Sequence, residues 1–206
     1  MTPANAPPAS FAEASRDLLR KRVLDAVGDL ASKNPWSEVK MAEVAEAAGV
    51  SRQTLYNTFG SRDDMAREYV SREGNRFADA VEAAVRLHAP DARAALTAAL
   101  ELFLTAAETH PLIRAVASGE ASGEEFLPLL TTRGGPLVSG ITQRLSDVVE
   151  EHWPVSRRDS DALADTMVRL AISHAALPSG PPDRTAKTLV GLLGPFMDEA
   201  VARGQA

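Results

Sequence analysis

The chain has 206 residues, carries 22 Lys and Arg against 28 Asp and Glu for a formal net charge of -6, and has no cysteine. That length suits one large or two small domains with a sizeable core, and the missing thiols exclude disulfides, thiolate metal sites and thiol redox sensing, in keeping with a reducing cytoplasm. No apolar run approaches the length that spans a bilayer, and the N-terminal MTPANAPPAS has neither the basic region nor the apolar core of a secretion signal, so the expectation is a soluble, cytoplasmic protein with no membrane partner.

Residues 1–14 read as a disordered arm, rich in Pro and Ala over its first part. From Ser15 onward Leu19, Val23, Ala26, Val27 and Leu30 recur at helical spacing and predict an amphipathic helix. Arg16, Arg20, Lys21 and Arg22 crowd its first turns, a cluster that fits a solvated face and a phosphate contact equally well. Asn34 and Pro35 break the helix, and Trp36 and Val39 are expected to pack the following loop onto the core.

The stretch MAEVAEAAGVSRQTLYNTFGSRDDM, residues 41–65, has the pattern of two short helices joined by a tight turn and followed by a third. Val44, Ala45 and Ala48 share one face and are small enough for close helix approach. Gly49 supplies the left-handed residue that ends a helix cheaply, Val50 fills the angle, and Ser51 is a good N-cap for the next helix. In that helix Leu55 and Phe59 point inward, leaving Arg52, Gln53, Thr54, Tyr56, Asn57 and Thr58 on a face that is polar but barely charged. Such a face suits hydrogen bonding to base edges and phosphates in a DNA major groove better than plain solvation. Gly60 ends the helix, and Ser61 with Asp64 has the spacing of a capping box.

These residues, read as AxxAGVSxxTLYxxFxSRDxM, resemble the TetR family of bacterial transcription regulators. The resemblance covers residues 19–69 by motif and the remainder only by length and helical character. It implies an all-α protein: a three-helix helix-turn-helix domain at residues 15–60 and a helical effector-binding and dimerisation domain at residues 61–206. Where the family often has a Thr or Ser helix cap this chain has Lys40, which cannot accept an N–H and so weakens the cap.

Beyond the motif, a helix from Arg62 to near His88 carries Met65, Tyr69, Phe77, Val81, Ala84 and Val85; its about 27 residues at about 1.5 Å each give about 40 Å, long enough to serve both domains as a lever. Leu96, Leu100, Phe103 and Leu104 predict the next helix, stopped by His110 and Pro111. A short helix at residues 111–118 and another opened by Ser122 and Glu125 precede a turn at Thr132 to Pro136. Val138, Ile141, Leu145 and Val148 mark a helix ending at Trp153 and Pro154. Leu163, Met167, Leu170, His174 and Leu177 mark another, PSGPP at residues 178–182 reads as a rigid linker, and Leu189, Leu192, Leu193, Phe196 and Met197 mark the last. Small residues on the final two helices, Ala164, Val168, Ala171, Ala175, Gly191 and Gly194, permit close approach and predict a homodimer built as a four-helix interface, as the resemblance also implies. Pro195 is expected to kink the last helix or loosen a turn.

The acidity is not uniform. From Arg16 to Arg72 ten Lys and Arg face nine Asp and Glu, while the remainder carries twelve against nineteen. The N-terminal part therefore suits local phosphate contacts rather than a non-specific coat on nucleic acid. Within it, Gln53, Thr54, Asn57 and Thr58 are the expected base-edge readers, Lys40, Ser51, Tyr56 and Arg62 the expected phosphate contacts, and Arg52 fits either role. The four histidines, His88, His110, His152 and His174, form no metal-binding spacing, and no phosphate loop, nucleophile elbow or paired-carboxylate motif is present, so neither a cofactor nor an enzyme activity is expected. The resemblance implies an effector cavity among the C-terminal helices. Its expected lining is Leu100, Phe103 and Leu104, then Ile113, Phe126 and Leu129, then Ile141, Leu145, Met167, Leu170 and His174, the last more readily read as a hydrogen-bonded core histidine. That lining points to an apolar or amphipathic, fatty-acid-like effector. The reading is a repressor released from a pseudo-palindromic double-stranded operator by such a molecule; its rival is an all-helical lipophile-binding protein that does not act through DNA.

Overall fold

The computed structural model describes residues 11–34, 36–109 and 135–205, and every regular element among them is helical. In chain order these are α1 (Phe11–Ala31), a 3-10 turn (Trp36–Glu38), α2 (Met41–Ala48), α3 (Arg52–Phe59), α4 (Arg62–Leu87), α5 (Ala92–Thr109), α6 (Gly135–His152), α7 (Arg157–Ala176) and α8 (Pro182–Gln205). They group into two compact units, one running to Tyr69 and one beginning at Val70, so the first turns of α4 count with the N-terminal unit.

In the first unit α1 contributes Val23, Leu24, Ala26 and Val27 to the core, α2 contributes Met41, Val44, Ala45 and Ala48, and α3 contributes Leu55 and Phe59. Trp36 and Val39 are buried as expected, clamping the connection between α1 and α2. Gly28 leaves room for Tyr69: a Cβ there would stand 3.4 Å from its ring and hydroxyl. α1 opens at Phe11 rather than Ser15. Its first turns are exposed and make no burial pattern, and the Ala and Glu of FAEA are good helix formers that extend the helix without an apolar face.

In the second unit one apolar cluster draws Val81 and Val85 from α4, Leu96, Leu100 and Leu104 from α5, Val148 and Val149 from α6, Leu163 and Met167 from α7, and Leu189 and Met197 from α8. α5 packs chiefly on α8 and α6 on α7. Two fully buried serines, Ser146 on α6 and Ser160 on α7, meet across that contact with hydroxyls 2.9 Å apart, and each also donates to a carboxylate at 2.6 Å, Asp161 and Glu150 respectively. A guanidinium clasp joins α4 to α6: Arg144 binds Glu82 through Nε at 2.5 Å and also pairs with Asp79. Arg93 on α5 grips Asp198 on α8 at 2.6 Å and lies over Gly194, where a Cβ would come within 3.0 Å of the guanidinium.

Several expectations for the C-terminal part change. Ala164, Val168 and Ala171 are buried within the protomer's own core, and Gly194 is covered by Arg93, so these small residues serve packing inside the subunit. Leu177 and Leu192 are 80% and 70% exposed, so neither is core. Gly135 and Pro136 form the first turn of α6, where proline costs no hydrogen bond, rather than the end of a turn. α8 runs unbroken through Pro195, which is exposed; the ring removes the donor for the Gly191 carbonyl, and Gly191 is exposed with open space where a Cβ would be. The elements expected between His110 and Gly134 lie outside the described residues.

Candidate DNA interface

α3 is delivered by two turns whose chemistry is written in the sequence. Gly49 has φ 66 and ψ 39, the left-handed conformation that costs an L-residue strain, and its N–H closes α2 on the Ala45 and Glu46 carbonyls. Ser51 then accepts the Thr54 N–H at 3.0 Å, capping α3. Gly60 closes it with φ 81. The next helix begins with Ser61 accepting the Asp64 N–H at 3.0 Å. The Asp64 carboxyl is held below its usual range, first by the Ser61 hydroxyl and then by Arg67.

At the start of α2 Lys40 supplies no side-chain acceptor, but Glu43 returns its half of the box, accepting the Lys40 N–H at 3.0 Å. The cap is therefore made by an anion at the positive end of the helix, and the Lys40 side chain stays exposed.

The outward face of α3 matches the expectation. Arg52, Gln53, Tyr56 and Asn57 are exposed, Thr54 and Thr58 half-buried, and Leu55 and Phe59 buried. Gln53 donates through Nε2 to the Asn57 Oδ1 at 2.8 Å. Thr58 spends its hydroxyl on the Thr54 carbonyl at 2.7 Å. Lys40 and Ser51 are exposed at the starts of α2 and α3.

Arg62 departs from the phosphate role expected of it. Its Nε donates to the Val39 carbonyl at 3.2 Å, another nitrogen reaches the Trp36 carbonyl, and its plane stacks 4.7 Å from the Trp36 ring centroid. The guanidinium is committed to the loop between α1 and α2, where it adds a second donor to the Trp36 carbonyl, which already accepts the Val39 N–H at 3.0 Å, and serves the Val39 carbonyl as well.

The basic cluster on α1 is likewise structural in part. Arg22 donates to the Ala48 carbonyl at 2.9 Å, and Arg20 to the Thr58 carbonyl at 3.1 Å and to the Glu68 carboxylate. Neither α2 nor α3 has a basic residue in its own last turn. Two helices ending in bare glycines leave carbonyls that need donors, and that was the signal in the sequence for these two arginines.

Of the expected effector lining, Leu100, Leu104 and Met167 lie in the second unit's apolar cluster, with Phe103, Leu145 and Leu170 packed against it. Phe103 meets Phe77 edge to face at 5.1 Å. Ile141 is half-buried, and His174 sits near the end of α7, its Nδ1 3.2 Å from the Ser179 hydroxyl. Ile113, Phe126 and Leu129 lie outside the described residues. No His, Asp and Glu grouping able to hold a metal is found among the described residues, and no described helix is long and apolar enough to cross a membrane.

A short N-terminal unit that presents a capped, polar helix is matched by a family model described as bacterial regulatory proteins, tetR family, over residues 23–69. A second model, the bacterial tetracyclin repressor C-terminal domain, matches residues 91–195. The HTH-type transcriptional regulator AlkX of Mycobacterium tuberculosis is 35% identical over 190 residues, 91% of this chain and 89% of that protein. The chain belongs to the TetR family. As a TetR-family protein it is a helix-turn-helix transcription regulator, and the family is one of DNA-binding proteins rather than enzymes. Among solved structures, the TetR family repressor AlkX from a Dietzia species, implicated in biodegradation of n-alkanes, is 33% identical with a TM-score of 0.75, covering 88% of this chain and 96% of that one. The fatty acid degradation regulator FadR from Bacillus halodurans, 16% identical with a TM-score of 0.55 over 85% of this chain and 94% of that one, shares the fold.

Proposed function

We propose that this chain is a homodimeric repressor that inserts α3 of each protomer into successive major grooves of a pseudo-palindromic operator and leaves it when a lipophilic effector binds. What carries the reading is the outward face of α3, polar and capped at both ends while its apolar side is wholly buried. Gln53, Thr54 and Asn57 read base edges, with Thr58 at the margin, and Lys40, Ser51 and Tyr56 hold phosphates; Arg52 serves either. Dimerisation uses α7 and α8, and the exposed Leu192 with Gly191 and Pro195 beside it supports a seam centred on α8. The effector is apolar or amphipathic. The likeness to a repressor implicated in n-alkane biodegradation supports a long hydrocarbon chain or the fatty acid that terminal oxidation makes of it, and the apolar character of the residues that α5, α6 and α7 bring to the second unit's core suits such a chain. Effector binding acts through α4, which belongs to both units, by favouring the DNA-incompatible state over the competent one.

The test is a fluorescence-anisotropy titration against the DNA flanking the protein's own gene, at physiological salt with excess competitor DNA. Competitor-resistant binding with two protomers per site, reversed by a long-chain alkane or fatty acid, is the expected result. Binding no tighter than to random DNA, there and in a genome-wide selection, would sink the repressor reading.

A further inference from the structure

We infer that Arg20 is a positioning residue for sequence-specific DNA reading, holding the C-terminal end of α3 against α4 through Glu68 without touching DNA itself. The inference rests on α3 being the reading helix. α3 has only eight residues, so half of its carbonyls lack an intrahelical donor and its direction is set by what holds its ends. Its N-terminal end is fixed by the Ser51 cap. At the other end the Arg20 guanidinium does three things at once: Nη2 donates to the Thr58 carbonyl at 3.1 Å, Nη1 pairs with Glu68 on α4, and the plane lies 5.3 Å from the ring centroid of Phe59. Only a planar fork serves a carbonyl, a carboxylate and a ring face together, so lysine is no substitute. The last turn of α3, where Asn57 and Thr58 sit, is thereby tied to the first turns of α4.

The sign of one substitution separates this role from the phosphate contact that a basic α1 cluster suggests. Glu68→Gln removes an anion from the head. If Arg20 were a phosphate ligand restrained by Glu68, freeing it would tighten binding to any DNA. If Arg20 positions α3, freeing it loosens the helix and weakens only the DNA that α3 must fit.

A duplex recovered by the wild-type protein from a random-sequence pool, and a scrambled duplex of equal composition, serve as the two probes for the full-length protein. The expected result for Glu68→Gln is a loss of about tenfold on the selected duplex, the scale of one charge-assisted hydrogen bond, with the scrambled duplex bound as before or more tightly. Arg20→Lys, which keeps the charge and loses the fork, is expected to lose the same discrimination, and it carries the test alone if melting shows Glu68→Gln unfolded. Equal changes on both duplexes, in either direction, would overturn the inference while leaving the reading of α3 intact. A pool that yields no preferred duplex would overturn both.

Discussion

Gln53 and Asn57 stand one turn apart and share a hydrogen bond, with the Gln53 amide donating to the Asn57 oxygen. That leaves the exposed Asn57 with its amide hydrogens and a second lone pair on its oxygen uncommitted to Gln53, the donor and acceptor pair that an adenine edge takes in the major groove. Removing either amide is therefore expected to lower discrimination between operator and random DNA, and a double-mutant cycle is expected to show coupling of about 1 kcal/mol because one orients the other. Tyr56, 47% exposed on the same helix, differs in kind. Tyr56→Ala is expected to weaken operator and random DNA by similar factors while leaving the salt dependence unchanged, as loss of an uncharged phosphate contact does. Equal effects from all three substitutions would remove this division of labour.

Among the elements, the turn between α2 and α3 has the most specific backbone requirement. Gly49→Ala is expected to cost about 1–2 kcal/mol from its left-handed backbone, read as a lower midpoint in urea with an unchanged slope. That turn was legible in the sequence because glycine, serine and the capping pair each answer a local geometric demand, and α2, α3 and the start of α4 fall where those residues place them. Other features depend on partners that spacing does not name. Arg62 reads the same in sequence whether it faces a phosphate or the Trp36 ring, and the ring wins. The small residues of α7 announce a close neighbour but not which one, and Ala164, Val168 and Ala171 turn out to face the protomer's own core. The start of α1 escaped because helix propensity without burial leaves no periodic trace.

For the molecule as a whole, oligomeric state and acid stability are the two properties these contacts control. With Leu192 at the centre of the proposed seam, Leu192→Glu is expected to yield monomers by sedimentation velocity while retaining helical content; a dimer unchanged by that substitution would move the interface elsewhere. Acid stability follows from Asp198, whose carboxyl is held below its usual value by the hydrogen bond from Arg93. Asp159 is lowered in the same way by Arg203, with Ser156 assisting. A carboxyl depressed in the folded state stabilises the fold above its unfolded value, and that stabilisation is lost as pH falls through the folded one. Asp198→Asn is therefore expected to melt below the parent at neutral pH, with the difference closing in acid below the ordinary carboxylate range.

The proline in α8 bears on a different observable, the exchange of backbone amides with deuterated solvent. With no amide at Pro195, the ladder of the helix lacks the rung that would join Gly191 to the turn beyond it. The stretch after Pro195 is anchored separately, by Met197 in the apolar cluster, by Asp198 on Arg93, by Arg203, which reaches Asp159 at 3.0 Å, and by Gly204, whose backbone lies so close to the Pro154 carbonyl that a Cβ would fall 1.6 Å from it. Opening of the tail is accordingly expected to stop at the missing rung, so that α8 behaves as two cooperative blocks in one continuous helix. The amides after Pro195 are expected to exchange as a group distinct from those around Leu189 and Val190, and Gly204→Ala or Arg203→Gln is expected to hasten the first group while leaving the second alone.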